Sequence, residues 1–205
     1  MTWMPDYTDI ATVRTYIRGG LDADNDAFIA SWITATSRNV DDYCGRQFGN
    51  TGTTQARLYD PVFDAHLQQY IYELDDIQNI TGMTVFAGTV PVTTYTLWPR
   101  NNPAKGLPYT QLRTASNLAG FFGGVFPAPP SLGTITVTAI FGWTAVPAAV
   151  PIGVLLQAAR LAKRRDSPFG IAGSPAEGSE LRLLAQLDPD FRTTLKPFLR
   201  DWWAA

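Results

Sequence analysis

Few side chains in this sequence can do chemistry, and their spacing argues against most of it. The single cysteine, Cys44, lies in Asp42-Tyr43-Cys44-Gly45. A nucleophilic thiol needs a nearby base and a lowered pKa. Here the helical pattern ends, and the carbonyl end of a helix dipole works against a thiolate. A buried structural thiol is expected. The single histidine, His66 in Asp64-Ala65-His66-Leu67, has no second His and no Cys pair to share a zinc ion with. It reads as a turn or surface residue. Glu73, Asp75 and Asp76 could collect a hard cation, but they lack the ordered oxygen pattern of a calcium loop. They read as a solvated strand end or an acidic rim for a neighbouring subunit. Ala119 to Gly124 and Gly170 to Gly173 have neither the Lys-Ser/Thr ending of a phosphate loop nor dinucleotide-fingerprint spacing, and no serine sits in a Gly-x-Ser-x-Gly elbow. No cofactor, no metal and no enzymatic activity are expected.

Charge and aromatic placement say more. Arg160, Lys163, Arg164 and Arg165 form the densest basic run. Three readings stand open: contact with phosphate, with counterion release; contact with an acidic surface on a neighbour, such as Asp22, Asp24 and Asp26; or a solvated helix end. At the carboxy end, Phe198, Leu199, Trp202 and Trp203 make an aromatic anchor. Termini fray unless tied down, so this anchor either packs within its own chain or docks into another.

The elements that must position these groups follow from composition and pattern. The chain has 205 residues, 45% of them hydrophobic, with a formal net charge of −2. That length buries a real core, and the 6 Trp, 8 Tyr and 11 Phe exclude global disorder. Near-neutral charge argues against a generally basic nucleic-acid coat. No apolar run is long enough to span a membrane, and the acidic amino end carries no signal-peptide pattern. A reducing cytoplasm, or a particle assembled there, is the expected setting.

Helical grammar covers the first 48 residues. Thr8 or Asp9 caps a short helix over about 8–18, stopped by Gly19-Gly20. A second helix over about 25–44 has Phe28, Ile29, Trp32, Ile33, Thr36, Val40 and Tyr43 at three- and four-residue spacing and ends at Gly45. Short Thr-, Tyr- and Val-rich runs punctuated by Gly, Pro and Asn then predict strands at 54–59, 70–74, 84–87, 93–98, 110–114 and 134–141. Ala87-Gly88 suits a hairpin turn. The apolar loop 116–130 is expected to cover the sheet or a partner. Pro151 opens a third helix, 151–165, which closes on the basic run. Residues 166–178 read as a linker, Ser179 as the cap of a helix with Leu181, Leu183, Leu184 and Leu187, and Asp188-Pro189 as the start of a last segment. The expected fold is α+β: a helical core from the amino- and carboxy-terminal helices with an inserted antiparallel β subdomain over about 50–143. By domain, 1–165 forms the core and 166–205 a linker and carboxy-terminal docking tail.

Two stretches carry a resemblance. One is Ala11-Thr12-Val13-Arg14-Thr15-Tyr16-Ile17, then Asp24-Asn25-Asp26-Ala27-Phe28-Ile29, then Ala35 through Phe48 with Tyr43, Gly45, Arg46 and Phe48 at its end. The other is Ile135 through Ile140 followed by Phe141-Gly142-Trp143, Val146-Pro147, Pro151 and the helix running to Arg164-Arg165. Together, over about 8–48 and 133–167, they resemble the head-to-tail connector (head completion, adaptor) proteins of tailed bacteriophages. The motifs are structural, so no active residues come with them. The resemblance implies a homo-oligomeric ring, commonly of twelve copies, in the virion neck between the portal protein and the next head-completion or tail protein. Double-stranded DNA would pass through the channel without sequence-specific contact, and the carboxy-terminal extension would dock on the portal. Any basic residues facing that channel are expected to be few and balanced by acids, because a dense basic lumen would retain DNA.

Two other classes stay open at this point. A tail-completion or tail-terminator protein would bind the tail tube and ignore the portal. A small intracellular enzyme would need a concave pocket holding Cys44 or His66 beside Glu73 or Asp75.

Overall fold

A computed structural model of the chain describes residues 3–17, 26–115, 134–166, 171–172, 181–182 and 189–200. The chain divides into two compact units. One holds residues 4–48 and 146–205, the other residues 1–3 and 49–145. The β unit is thus an insertion between the amino- and carboxy-terminal helices, and the α+β architecture is as the sequence implied.

In the helical unit, α1 (Ile10–Ile17) begins at Asp9, whose carboxylate accepts the Thr12 amide at 2.8 Å and the Thr12 hydroxyl at 2.9 Å. These bonds satisfy otherwise orphaned donors and hold the Asp9 carboxyl below its usual range. The second helix, α2 (Asp26–Cys44), buries Ile29, Ile33, Thr36, Ser37, Val40, Asp41 and Cys44 along one broad face. Phe28, which the spacing grouped with that face, lies on the other side of the helix and is 57% exposed. Gly45 ends α2 at φ 62°, with its own N–H donating to Asp42 and the Arg46 N–H donating to the Asp41 carbonyl at 3.1 Å. That pair of bonds is a Schellman cap, which needs a left-handed residue at Gly45.

The third helix, α3 (Ala149–Asp166), starts two residues before Pro151 and buries Val150, Val154, Gln157, Ala158 and Ala162. Val13, Ile29, Ile33 and Ala158 form the core shared by α1, α2 and α3, with Ile10, Ile17, Trp32 and Leu155 around it.

Residues 55–140 build two four-stranded antiparallel sheets. Their strands are β1 (Gln55–Tyr59), β2 (Val62–Asp64), β3 (Gln69–Ile77), β4 (Asn79–Ala87), β5 (Val90–Pro91), β6 (Thr96–Trp98), β7 (Tyr109–Ala115) and β8 (Ile135–Ile140). One sheet has the order β1-β8-β4-β5, the other β2-β3-β7-β6. Every strand pair is antiparallel. Alternation along β8 sends Ile135, Val137 and Ala139 inward, where they meet Val85 of β4 and Tyr72, Leu74, Ile77 and Leu112 of the other sheet. The two sheets therefore share one core. Gly88, at φ 62°, makes the β4–β5 hairpin turn that the sequence suggested. Strands β2 and β5 were not anticipated, being only three and two residues long. The apolar loop at 116–130 lies outside the described residues.

After α3 the sequence pattern and the structure part company. Two short strands, β9 (Ile171–Ala172) and β10 (Leu181–Arg182), pair antiparallel inside the expected linker and the expected Ser179 helix. The last helix, α4 (Pro189–Leu195), follows at Asp188-Pro189 and leads into a 3₁₀ turn over Lys196–Phe198.

Candidate functional site

Cys44 belongs to the helical unit, and His66 and the three acids Glu73, Asp75 and Asp76 belong to the β unit. Cys44 is buried in the helical unit, and burial pushes its thiol up to about 12, far from a working thiolate. His66 is exposed in the turn between β2 and β3, where its N–H donates to Asp64 at 2.9 Å. The three acids of β3 are each engaged separately. Glu73 accepts from the Gln111 amide at 2.6 Å. Asp75 accepts from Arg57 at 2.6 Å and from the Tyr59 hydroxyl at 2.8 Å. Asp76 accepts from the Trp143 indole at 2.8 Å. No group of three metal-ligating side chains occurs among the described residues, and no described helix is long and apolar enough to cross a membrane.

The helical unit spends its buried charge on holding its own amino-terminal segment. Tyr7 donates its hydroxyl to Asp41 at 2.5 Å, accepts from the Phe48 amide at 2.9 Å, and meets the Phe48 ring edge-on. Arg38 donates to the carbonyls of Met4 and Pro5, and its Nε lies 3.1 Å from Asp41 Oδ2, an ion pair without hydrogen-bond alignment. Burial nevertheless dominates: it lifts the Asp41 carboxyl to about 6, against the lowering pull of Tyr7 and Arg38.

Of the charges singled out from sequence, Asp26 is ion-paired with Arg14, which ties the start of α2 to α1. Asp22 and Asp24 lie outside the described residues. Arg160 is half-buried on α3. Lys163, Arg164 and Arg165 occupy the last turns of α3 by their backbone, and their side chains lie outside the description.

The carboxy-terminal anchor splits. Phe191 and Leu195 of α4 are fully buried, and Phe191 packs on Tyr43 with ring centroids 5.6 Å apart. The Tyr43 hydroxyl donates to the Arg192 carbonyl at 3.4 Å. The Leu195 side chain fits against Gly153 of α3, where an added Cβ would stand 3.2 Å from it. Phe198 meets Phe48 edge-to-face at 5.9 Å, and the Arg200 N–H donates to the Cys44 carbonyl at 2.9 Å. The segment through Arg200 is thus tied to its own helical unit. Leu199 is exposed, and Trp202 and Trp203 lie outside the described residues. Sequence reasoning missed Phe191 and Leu195; their spacing of four was the available signal.

The β unit closes on a clasp that sequence reasoning also missed. Gly142, at φ 104°, donates its N–H to the Asp76 carbonyl at 2.5 Å and accepts from the Gln78 N–H at 3.2 Å. Trp143 donates its backbone N–H to the Gly49 carbonyl at 2.9 Å, and its own carbonyl accepts from Asn50 Nδ2. Residues near the two ends of the insertion are fastened to each other and, through Asp76, to β3.

Fold and site together define a two-unit α+β protein with a β insertion in a helical unit. No family model matches the chain, and no curated protein is similar to it.

Proposed function

We propose that this chain is a structural connector of a tailed bacteriophage. Copies form a ring in the virion neck, between the portal vertex and the next head-completion or tail protein, and double-stranded DNA passes through its centre. The observation that carries this reading is the work done by the two motifs behind the resemblance. Tyr43, Gly45, Arg46 and Phe48 end α2 in a Schellman cap and deliver Phe48 into the helical core. Phe141, Gly142 and Trp143 end β8 in the Gly49 clasp. Both motifs build the two ends of a β insertion in a helical unit and present no reacting group.

Exposed apolar side chains supply material for subunit contact. Tyr16, Phe28 and Ile152 are about half exposed on the helical unit, and Leu58 and Val62 are exposed on the β unit. A ring joins unlike faces of successive copies, so each unit needs such a surface.

The deciding experiment mixes the purified chain with isolated portal rings and follows co-sedimentation and particle images. A ring seated on the portal is expected. Attachment to tail-tube protein with no attachment to the portal overturns the reading in favour of a tail terminator. The companion variant ends at Arg200, which removes Trp202 and Trp203 while keeping α4. A chain ending at Gly178 would lose Phe191 and Leu195 from the core and would confound folding with docking.

A further inference from the structure

One arginine of the β unit is held as a socket is held, by groups that fix its direction. Arg113 of β7 donates Nε and Nη2 to the Gln111 side-chain oxygen at 3.1 and 2.7 Å. Gln111 is oriented in turn by its own bond to Glu73. The guanidinium lies over the Trp98 ring, 4.3 Å from its centroid. Nη1 has no hydrogen-bond partner among the described residues. An arginine clamped in this way has already given up much of the rotamer entropy that an ordinary surface arginine loses on binding.

Arg113 lines a cavity of about 350 Å³ together with Leu67, Tyr95, Trp98, Arg100 and Thr114. Arg100 has no ion pair or hydrogen bond among the described residues.

We propose that this cavity receives a carboxylate side chain from an acidic segment of a partner protein, gripped by Arg113 and Arg100 with its apolar neighbour against Trp98 and Leu67. Charge complementarity and scale both favour this occupant. Two cations face the space, while Asp64 and Glu73 act electrostatically on Arg113. Those two acids leave no extended basic surface of the kind duplex DNA needs, while Arg100 and the Nη1 of Arg113 remain to meet one carboxylate. Trp, Tyr and Arg around a pocket is also the composition of protein–protein hot spots. The inference stands apart from the ring reading and holds for any protein partner.

The test uses the full chain and a fluorescein-labelled Glu-Leu-Glu-Phe-Glu peptide, with its all-Gln counterpart, a duplex DNA and inorganic phosphate as comparisons, read by fluorescence anisotropy. Saturable binding of the acidic peptide is expected, weaker by about tenfold for the Gln peptide and for Arg113→Gln, as for loss of a charged hydrogen bond. Arg113→Lys should not restore it, because an ammonium cannot present the fork. Arg100→Gln alters an exposed side chain and keeps the test informative where an Arg113 variant misfolds. Absence of saturable binding up to millimolar peptide, equal binding by wild type and both arginine variants, or tighter binding of duplex DNA than of the peptide would each overturn the proposal.

Discussion

A Cβ placed on Gly142 would stand 2.0 Å from the carbonyl oxygen of Gly49. No real side chain tolerates that distance, and the oxygen belongs to backbone that cannot step aside. Gly49 begins the β insertion and Gly142 lies near its end, so this close approach holds the two ends of the insertion together. The Trp143 N–H donates to that same carbonyl.

Gly142→Ala should therefore destabilise the chain by more than the backbone strain alone, which is about 1–3 kcal/mol for a residue held in a sparsely populated conformation. Gly82→Ala is the control. It shares a positive φ of 74° but has open space around it, and it should cost only about 1–2 kcal/mol. Urea unfolding of the two variants checks the difference; equal losses would show that the approach to Gly49 is not what Gly142 is for.

Asp41 sets a pH dependence of stability. Its folded value of about 6 lies above its ordinary 3.8, because burial outweighs Tyr7 and Arg38, with Asp42 adding to the rise. The folded state thus binds the proton more tightly, so this group's contribution is fully present below about pH 4 and is lost as pH rises through 6. The scale is on the order of 3 kcal/mol. Asp41→Asn still accepts the Tyr7 hydroxyl but cannot ionise. The difference in melting temperature between the variant and wild type should move in the variant's favour from pH 4 to pH 7. A difference independent of pH would contradict this.

Leu195→Ala should cost about 2–5 kcal/mol, the range for a buried leucine that leaves a cavity. The loss falls where α4 meets Gly153 of α3, so the helical unit should lose cooperativity first, visible in far-ultraviolet circular dichroism. Filling the same gap from the other side, Gly153→Val, should also destabilise, since its Cβ would already stand 3.2 Å from Leu195. Tolerance of both substitutions would mean that α4 is not part of the helical core.

The sequence by itself determined the local elements of this protein. The three- and four-residue spacing of α2, the alternation of β8, the Asp9 cap and the Gly45 stop each depend on residues within a turn or two of one another. Steric and hydrogen-bonding preferences at that range are written in the residue types. The bracketing of a β insertion by helices was legible for the same reason. Only the tertiary structure decided what those elements do to each other. Gly142 stands out in the sequence only as part of the Phe141-Gly142-Trp143 motif; the reason it must be glycine comes from a carbonyl 93 positions earlier. Phe191 and Leu195 sit beyond a Gly- and Pro-rich stretch that has the composition of a linker, yet they are core because α3 and Tyr43 offer them a surface. Arg113 gains its fixed direction from Gln111, Glu73 and Trp98, residues on three strands. Such relationships follow from which distant surfaces meet, and the free energy that selects them is released only when the chain has closed on itself.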